Sequence, residues 1–265
     1  MKMLKICILL VFLINGLSAQ DNKSDVPDPL CRSISIDKGI GICSVSDKQI
    51  SENKYTGTIG SIGITYLGWH QTYGSYFKFK YENGQKIEYQ NTSAAINNVL
   101  LSYGKVYSIK GLKLFHKGLY TYLGPSTDIY FHIRTQNASL NIMAPTVSYT
   151  VLFSLSLNAM VVYPINEQIE CEGTLSATFM SFGSRFPNIV YKEINLFKLL
   201  PFYKGLRNSE RIAVAYRPFN FLTLKIGYEF NLLGIRSFGN STDGIDWAGY
   251  KSLNNYGFIQ TTLNF

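Results

Sequence analysis

Between Arg134 and Glu167 the chain carries no charged residue, and the centre of that stretch alternates. The odd positions Val147, Tyr149, Val151, Phe153, Leu155, Leu157, Ala159, Val161 and Tyr163 are apolar or aromatic. Between them lie Ser148, Thr150, Leu152, Ser154, Ser156, Asn158, Met160 and Val162, polar at first and mixed later. Mean hydropathy alone would make this a membrane helix, but the period is 2 rather than 3.6, which is the mark of a strand with two unlike faces. A tilted strand needs only about 9–11 residues to cross a bilayer. Lipid offers no partner to an open sheet edge, so a crossing strand implies a closed barrel.

Other segments repeat the pattern. Tyr73, Phe77, Phe79 and Tyr81 oppose Lys78, Lys80 and Glu82; Ile129, Phe131 and Ile133 oppose Asp128, His132 and Arg134. Ile169, Cys171, Leu175 and Phe179 oppose Glu170 and Glu172; Leu222, Leu224, Ile226 and Tyr228 oppose Lys225 and Glu229. Charges confined to one face fit a polar lumen and a lipid-facing exterior. The reading is all-β: an antiparallel transmembrane barrel of about 10 strands. The strands are placed near 57–68, 73–82, 86–108, 112–123, 126–137, 147–163, 169–182, 209–217, 220–230 and 255–265, with eight or twelve as the alternative counts. Short inner turns are expected at Asn83-Gly84, Gly124-Pro125, 164–168 and 217–220, and the long outer connections at 183–208 and 231–254.

Residues 1–20 read as a signal peptide: Lys2 and Lys5, an apolar run from Ile6 to Ile14, then Leu17-Ser18-Ala19-Gln20. Residues 21–54, with Pro27 and Pro29, read as an N-terminal periplasmic extension, and 55–265 as the barrel. Cys31 and Cys43 flank a segment with an Asp37-Lys38-Gly39 turn signal, which suggests a small hairpin closed by a disulfide. Cys171 is then left as a buried thiol, and no cysteine or histidine spacing fits a metal. The chain has a formal charge of +8, but its cations are dispersed along alternating segments, which excludes a nucleic-acid patch. Tyrosine (19) and phenylalanine (17) far outnumber tryptophan (2), as interfacial girdles of tyrosine would require.

At the end of the chain Gly257, Ile259, Leu263 and Phe265 alternate, with Thr261 the weak member, and the chain stops on Phe265. This resembles the last strand of small Gram-negative outer-membrane β-barrels, of the type common in Bacteroides-like bacteria. The resemblance implies outer-membrane localisation after export, contact with outer-membrane lipid, and recognition of these four residues by the barrel-assembly machinery. Surface ligands or protein partners would be met by the loops 183–208 and 231–254. The first of these contains the apolar Ile194–Tyr203, and the second the oxygen-rich run Asn240–Trp247, which lacks a calcium-loop pattern.

Catalytic chemistry has little to work with. His70, His116 and His132 are the only histidines, none has the neighbouring serine of a barrel-embedded lipid hydrolase, and there is no Gly-x-Ser-x-Gly elbow. The expected lumen set is Lys78, Lys80, Glu82, Lys113, Lys117, Asp128, His132, Arg134, Glu170, Glu172, Arg211, Arg217, Lys225 and Glu229. Charges enclosed in a narrow barrel must pair, so the set reads as a salt-bridged filling or a narrow cation-lined passage. The expectation is a non-enzymatic barrel without cofactor or metal, serving a structural, surface-contact or small-solute passage role. The alternatives are a lipid-modifying barrel hydrolase, with His116 or His132 at its centre, and a soluble secreted β-sandwich.

Overall fold

The structure, a computed structural model, describes residues 32–47, 51–70, 73–89, 92–109, 113–114, 117–137, 146–186, 198–201, 205–235 and 250–265. Among them there is no helix. Ten long strands make one antiparallel sheet: β1 (Arg32–Asp47), β2 (Ser51–Trp69), β3 (Tyr73–Tyr89), β4 (Thr92–Ile109), β5 (Tyr120–Asn137), β6 (Thr146–Pro164), β7 (Ile169–Phe186), β8 (Gly205–Phe219), β9 (Leu222–Ile235) and β10 (Tyr250–Asn264). Each pairs with its neighbour in sequence, and β10 pairs with β1 to close the ring. Closure leaves no long edge in need of hydrogen bonds from lipid. A short strand, Lys198–Pro201, lies against β7, and Lys113–Leu114 pairs with Lys117–Gly118 outside the ring.

The seam corrects the expected N-terminal extension. Residues 32–47 are no hairpin but a full barrel strand: Asp37, Lys38 and Gly39 pair with Gly63, Ile62 and Ser61 on one side and Gln260, Ile259 and Phe258 on the other. The turn propensity of Asp-Lys-Gly yields to two continuous ladders. Cys43 is a free, buried thiol, and a strand climbs ~35 Å from Arg32 to Cys43, far beyond disulfide reach. The expected disulfide with Cys31 (itself outside the described residues) is therefore overturned. The barrel also closes through β1 rather than by direct pairing of 57–68 with 255–265.

Two expected turns are mid-strand. Asn83 and Gly84 lie within β3, paired with Asn97 and Ile96. The ladders break just past them, between Gly84 and Ile87 on the β4 side and between Asn83 and Ile87 on the β2 side. Past that bulge Ile87 is fully buried in the lumen, so continuing the strand gains apolar burial that a turn would forfeit. Gly124-Pro125 sits inside β5, so only the last residues of the expected strand 112–123, from Tyr120, join 126–137 in one strand, while Lys113–Leu114 and Lys117–Gly118 form the hairpin outside the ring. Pairing with β4 is broken between Gly104–Ser126 and Tyr107–Leu123, which spares Pro125 the N–H it lacks. At Gly124 a Cβ would stand 1.9 Å from the carbonyl oxygen of Lys105, so no other residue fits that approach. One strand gained at the N-terminus and one lost by merging leave the count at ten.

The turn at 165–168 falls where the sequence places it, and the one expected at 217–220 is shifted to 220–221, the strand running on to Phe219. Asn166 fixes the first, its Oδ1 accepting the backbone N–H of Gln168 (2.9 Å) and Ile169 (2.8 Å). These turns, 70–72 and 110–119 share the end of the barrel where Phe265 lies, called here the near end. The segments 48–50, 90–91, 138–145, 187–204 and 236–249 join strands at the far end.

Register also gives the tilt. A row of paired residues followed from Ile36 through Ile64, Phe79, Leu101, Ile129 and Phe153 reaches Phe182 on β7. The same row followed the other way, through Thr261, Leu224 and Tyr216, reaches Ile169 at the opposite end of that strand. Rows thus climb toward the far end by roughly twelve residues per circuit, a little over one per strand, as strands tilted by about 40° require. Outside, the wall is apolar on every side: Ile36, Ile64, Phe77, Tyr103, Phe131, Phe153, Phe179, Ile212, Ile226 and Ile259 are all exposed. A soluble monomer does not carry a continuous apolar surface of this extent. The single closed sheet also excludes the β-sandwich.

Candidate functional site: the filled lumen

Inward residues sort into layers. Toward the far end the lumen is apolar, packed with Val45, Tyr55, Ile59, Ile87, Ile96, Leu152, Ile235 and Tyr250. This corrects the expectation of a polar lumen throughout. Their outward neighbours are mostly polar, Lys54 and Thr56 beside Tyr55, Lys86 and Glu88 beside Ile87, so toward the far end the alternation is inverted and an apolar residue no longer marks the lipid face.

The middle layer is ionic. Lys80 Nζ donates to Glu229 Oε1 at 2.5 Å and lies 3.2 Å from Glu82 Oε1. All three side chains are buried. Arg211 approaches both Asp37 and Glu229 at 3.9 Å and donates to Gln260 Oε1. Lys78, half-buried on the next inward position of β3, interacts electrostatically with Glu229 and Asp37. Asp37, Glu82 and Glu229 thus face Lys78, Lys80 and Arg211, so the layer carries no net charge. Rings insulate it: Lys80 Nζ is 4.4 Å from the centre of Tyr256, and the Arg211 guanidinium 3.6 Å from that of Phe258.

The remaining valences of the acids are met by amides. Glu82 Oε2 accepts from Asn98 Nδ2 (2.8 Å) and Asn254 Nδ2 (3.2 Å), and Glu229 Oε1 from Asn231 Nδ2 (2.9 Å). Asn98 Oδ1 in turn takes the Nδ1–H of His132 at 2.6 Å. His132 is fully buried and its ring packs 4.6 Å from that of Tyr250. Beside it, at the apolar layer, the fully buried Arg134 lies over the Tyr55 ring at 4.6 Å. A cavity of about 20 Å³ bounded by Lys80, Glu82, Asn98, Tyr130, Arg207 and Asn254 has room for about one water.

Across the barrel, Asp128 accepts from Ser156 Oγ (2.6 Å) and pairs with Arg207 at 3.5 Å, while Ser156 meets Thr178 (3.1 Å). Toward the near end Lys225 pairs with Glu172 at 2.5 Å, and the half-exposed Arg217 with Glu170 at 3.4 Å. Lys113 and Lys117 belong to the small hairpin outside the ring, and their side chains lie outside the described residues. Gly257, Ile259 and Leu263 face outward on β10, with Phe265 exposed just beyond its end.

Several members of the network escaped the sequence reading. Asp37 was hidden by the turn signal around it, and Arg207 by assignment to a loop. Asn98, Asn231, Asn254 and Gln260 are uncharged, and only the register shows that they meet the acids. As for a lipid hydrolase, His116 lies outside the described residues, and His132 is sealed in the lumen where bilayer lipid cannot reach its ring. Residues 1–20, expected to be a signal peptide, and most of the segments Ile194–Tyr203 and Asn240–Trp247 also lie outside the described residues.

No protein-family model matches the chain, and no curated protein matches its sequence. Solved structures do. The translocator domain of the autotransporter NalP from Neisseria meningitidis is 10% identical, with 100% of this chain and 98% of that chain covered and a TM-score of 0.51. The outer-membrane protease OmpT from Escherichia coli is also 10% identical, with 92% and 99% covered and a TM-score of 0.50. At such identities the likeness is one of architecture, and the chain has the fold of the bacterial outer-membrane β-barrels.

Proposed function

We propose that this chain is an integral outer-membrane barrel of a Gram-negative, Bacteroides-like bacterium, with a structural or surface-contact role and a lumen that does not conduct. The carrying observation is the double filling of the lumen: an apolar layer stacked on a charge-balanced ionic one. Ten-stranded barrels are narrow enough for side chains to fill them, and here the side chains pair with one another instead of lining a hole. Three of the four near-end connections are short, 110–119 being the exception, and the two longest of all, 187–204 and 236–249, lie at the far end, which supports a periplasmic near end and an external far end. Loops 187–204 and 236–249 would then carry contacts with a surface ligand or protein. Outward Gly257, Ile259, Leu263 and Phe265 fit recognition by the assembly machinery.

The test is single-channel recording of the refolded chain in a planar bilayer. Silence from folded, inserted protein is expected. Reproducible steps that shrink when Lys80 or Arg211 is neutralised would overturn the filled-lumen reading and favour passage of small solutes.

A further inference from the structure

Among the described residues most outward charges lie toward the strand ends, as Lys54, Lys86, Lys105 and Lys251 do, but two nearer mid-depth face the wrong way for a barrel in lipid. Lys38, exposed on β1, points outward between Ile36 and Ile40, opposite Ile62 and Ile259 of the adjacent strands. Glu210, half-buried on β8, shares the outer face with its partners Phe230 and Leu175. Neither forms an ion pair among the described residues. A lipid-facing lysine near mid-depth is strongly unfavourable, and a glutamate less so.

Their depths coincide. The row of Lys38 runs through Ile259 and Ile226 to Val214 on β8. Because rows descend in that direction by a little over one residue per strand, the residue level with Lys38 lies roughly 3–4 positions toward the far end from Val214. That residue is Glu210. Between the two charges, at the same depth, Gly257 of β10 pairs with Tyr228 of β9. A Cβ at Gly257 would have nothing within 4 Å, so the wall is hollow there, next to the exposed Tyr228 ring.

We infer that the face β8–β9–β10–β1 is the interface of a parallel two-fold dimer of this chain. An axis along the membrane normal, outside Gly257 and Tyr228, sets Lys38 of each copy against Glu210 of the other, forming two identical pairs. Only charges at equal depth satisfy such an axis, and these do. The hollow at Gly257 receives the second copy's Tyr228, as small residues do where membrane segments approach closely. A two-fold axis outside β1 alone would set Lys38 against itself. A lipid phosphate would answer Lys38 and leave Glu210 unanswered.

The experiment is energy transfer between donor- and acceptor-tagged full-length copies refolded in phosphatidylcholine vesicles. Wild type should associate. Lys38→Glu alone and Glu210→Lys alone should each weaken association by about a hundredfold or more, as breaking desolvated pairs does. An equimolar mixture of the two variants should recover it, because both pairs re-form in the mixed dimer. Lys38→Met and Glu210→Gln, which lighten the lipid face, should lose association while still folding, as read by heat-modifiable gel mobility. Absence of transfer in wild type, unimpaired single variants, or a mixture that stays monomeric would each overturn the dimer. So would association that appears only with anionic lipid, which would assign Lys38 to a headgroup phosphate.

Discussion

The far and middle layers of the lumen close the same tube by opposite means. The far layer is mostly a hydrophobic core turned inside a barrel, with Leu152 and Ile59 packed among apolar neighbours and Arg134 laid over the Tyr55 ring. The middle layer is a set of obligations: Glu229 answers Lys80, Arg211 and Asn231 at once, and Glu82 answers Lys80, Asn98 and Asn254. Losing a methyl group from the first leaves a small void, whereas losing a carboxylate from the second strands buried cations. One layer should therefore degrade gradually and the other abruptly.

That contrast can be broken by urea unfolding from lipid vesicles, followed by the fluorescence of the two tryptophans. Glu229→Ala should have the largest effect, about 3–5 kcal/mol, because it leaves Lys80 and Arg211 uncompensated in a buried site. Leu152→Ala should cost about 2–4 kcal/mol, transfer and cavity terms together. If Leu152→Ala proves the costlier of the two, the ionic layer is wetter and more forgiving than its burial indicates. The reference is Lys86→Ala, at the exposed pair with Glu88 (2.9 Å), which should leave the midpoint unchanged.

The two layers also differed in how far the sequence revealed them. Lys80, Glu82, Asp128 and Glu229 stand out because a charge against an apolar alternation announces its face. Ile59, Ile87 and Tyr55 do not, because near the far rim the faces trade chemistry: Thr58, Lys86, Glu88 and Lys54 point outward, and the apolar residue between them points in. Local turn chemistry misled at Asp37-Lys38-Gly39, Asn83-Gly84 and Gly124-Pro125, since each carries a real propensity that barrel-length ladders override. The expected count of ten survived because the unrecognised β1 offset the merged β5. Lys38 was hidden by its turn motif, and Glu210 was marked outward only by the lumen-facing Arg211 beside it; their common depth exists only once register and tilt are known.

The seam has a consequence of a different kind. Arg32 and Phe265 exchange two backbone hydrogen bonds, 2.9 and 2.8 Å, so the described chain starts and finishes side by side. In covalent terms the wall is a cycle with one peptide link missing. Where that gap falls matters little to the finished barrel, because each strand already has both its neighbours. It matters to the order of events during synthesis: the first strand made must stay unpaired on one side until the last arrives. The gap thus sets how long a strand edge stands open, and so how much the nascent wall depends on something else to cover it.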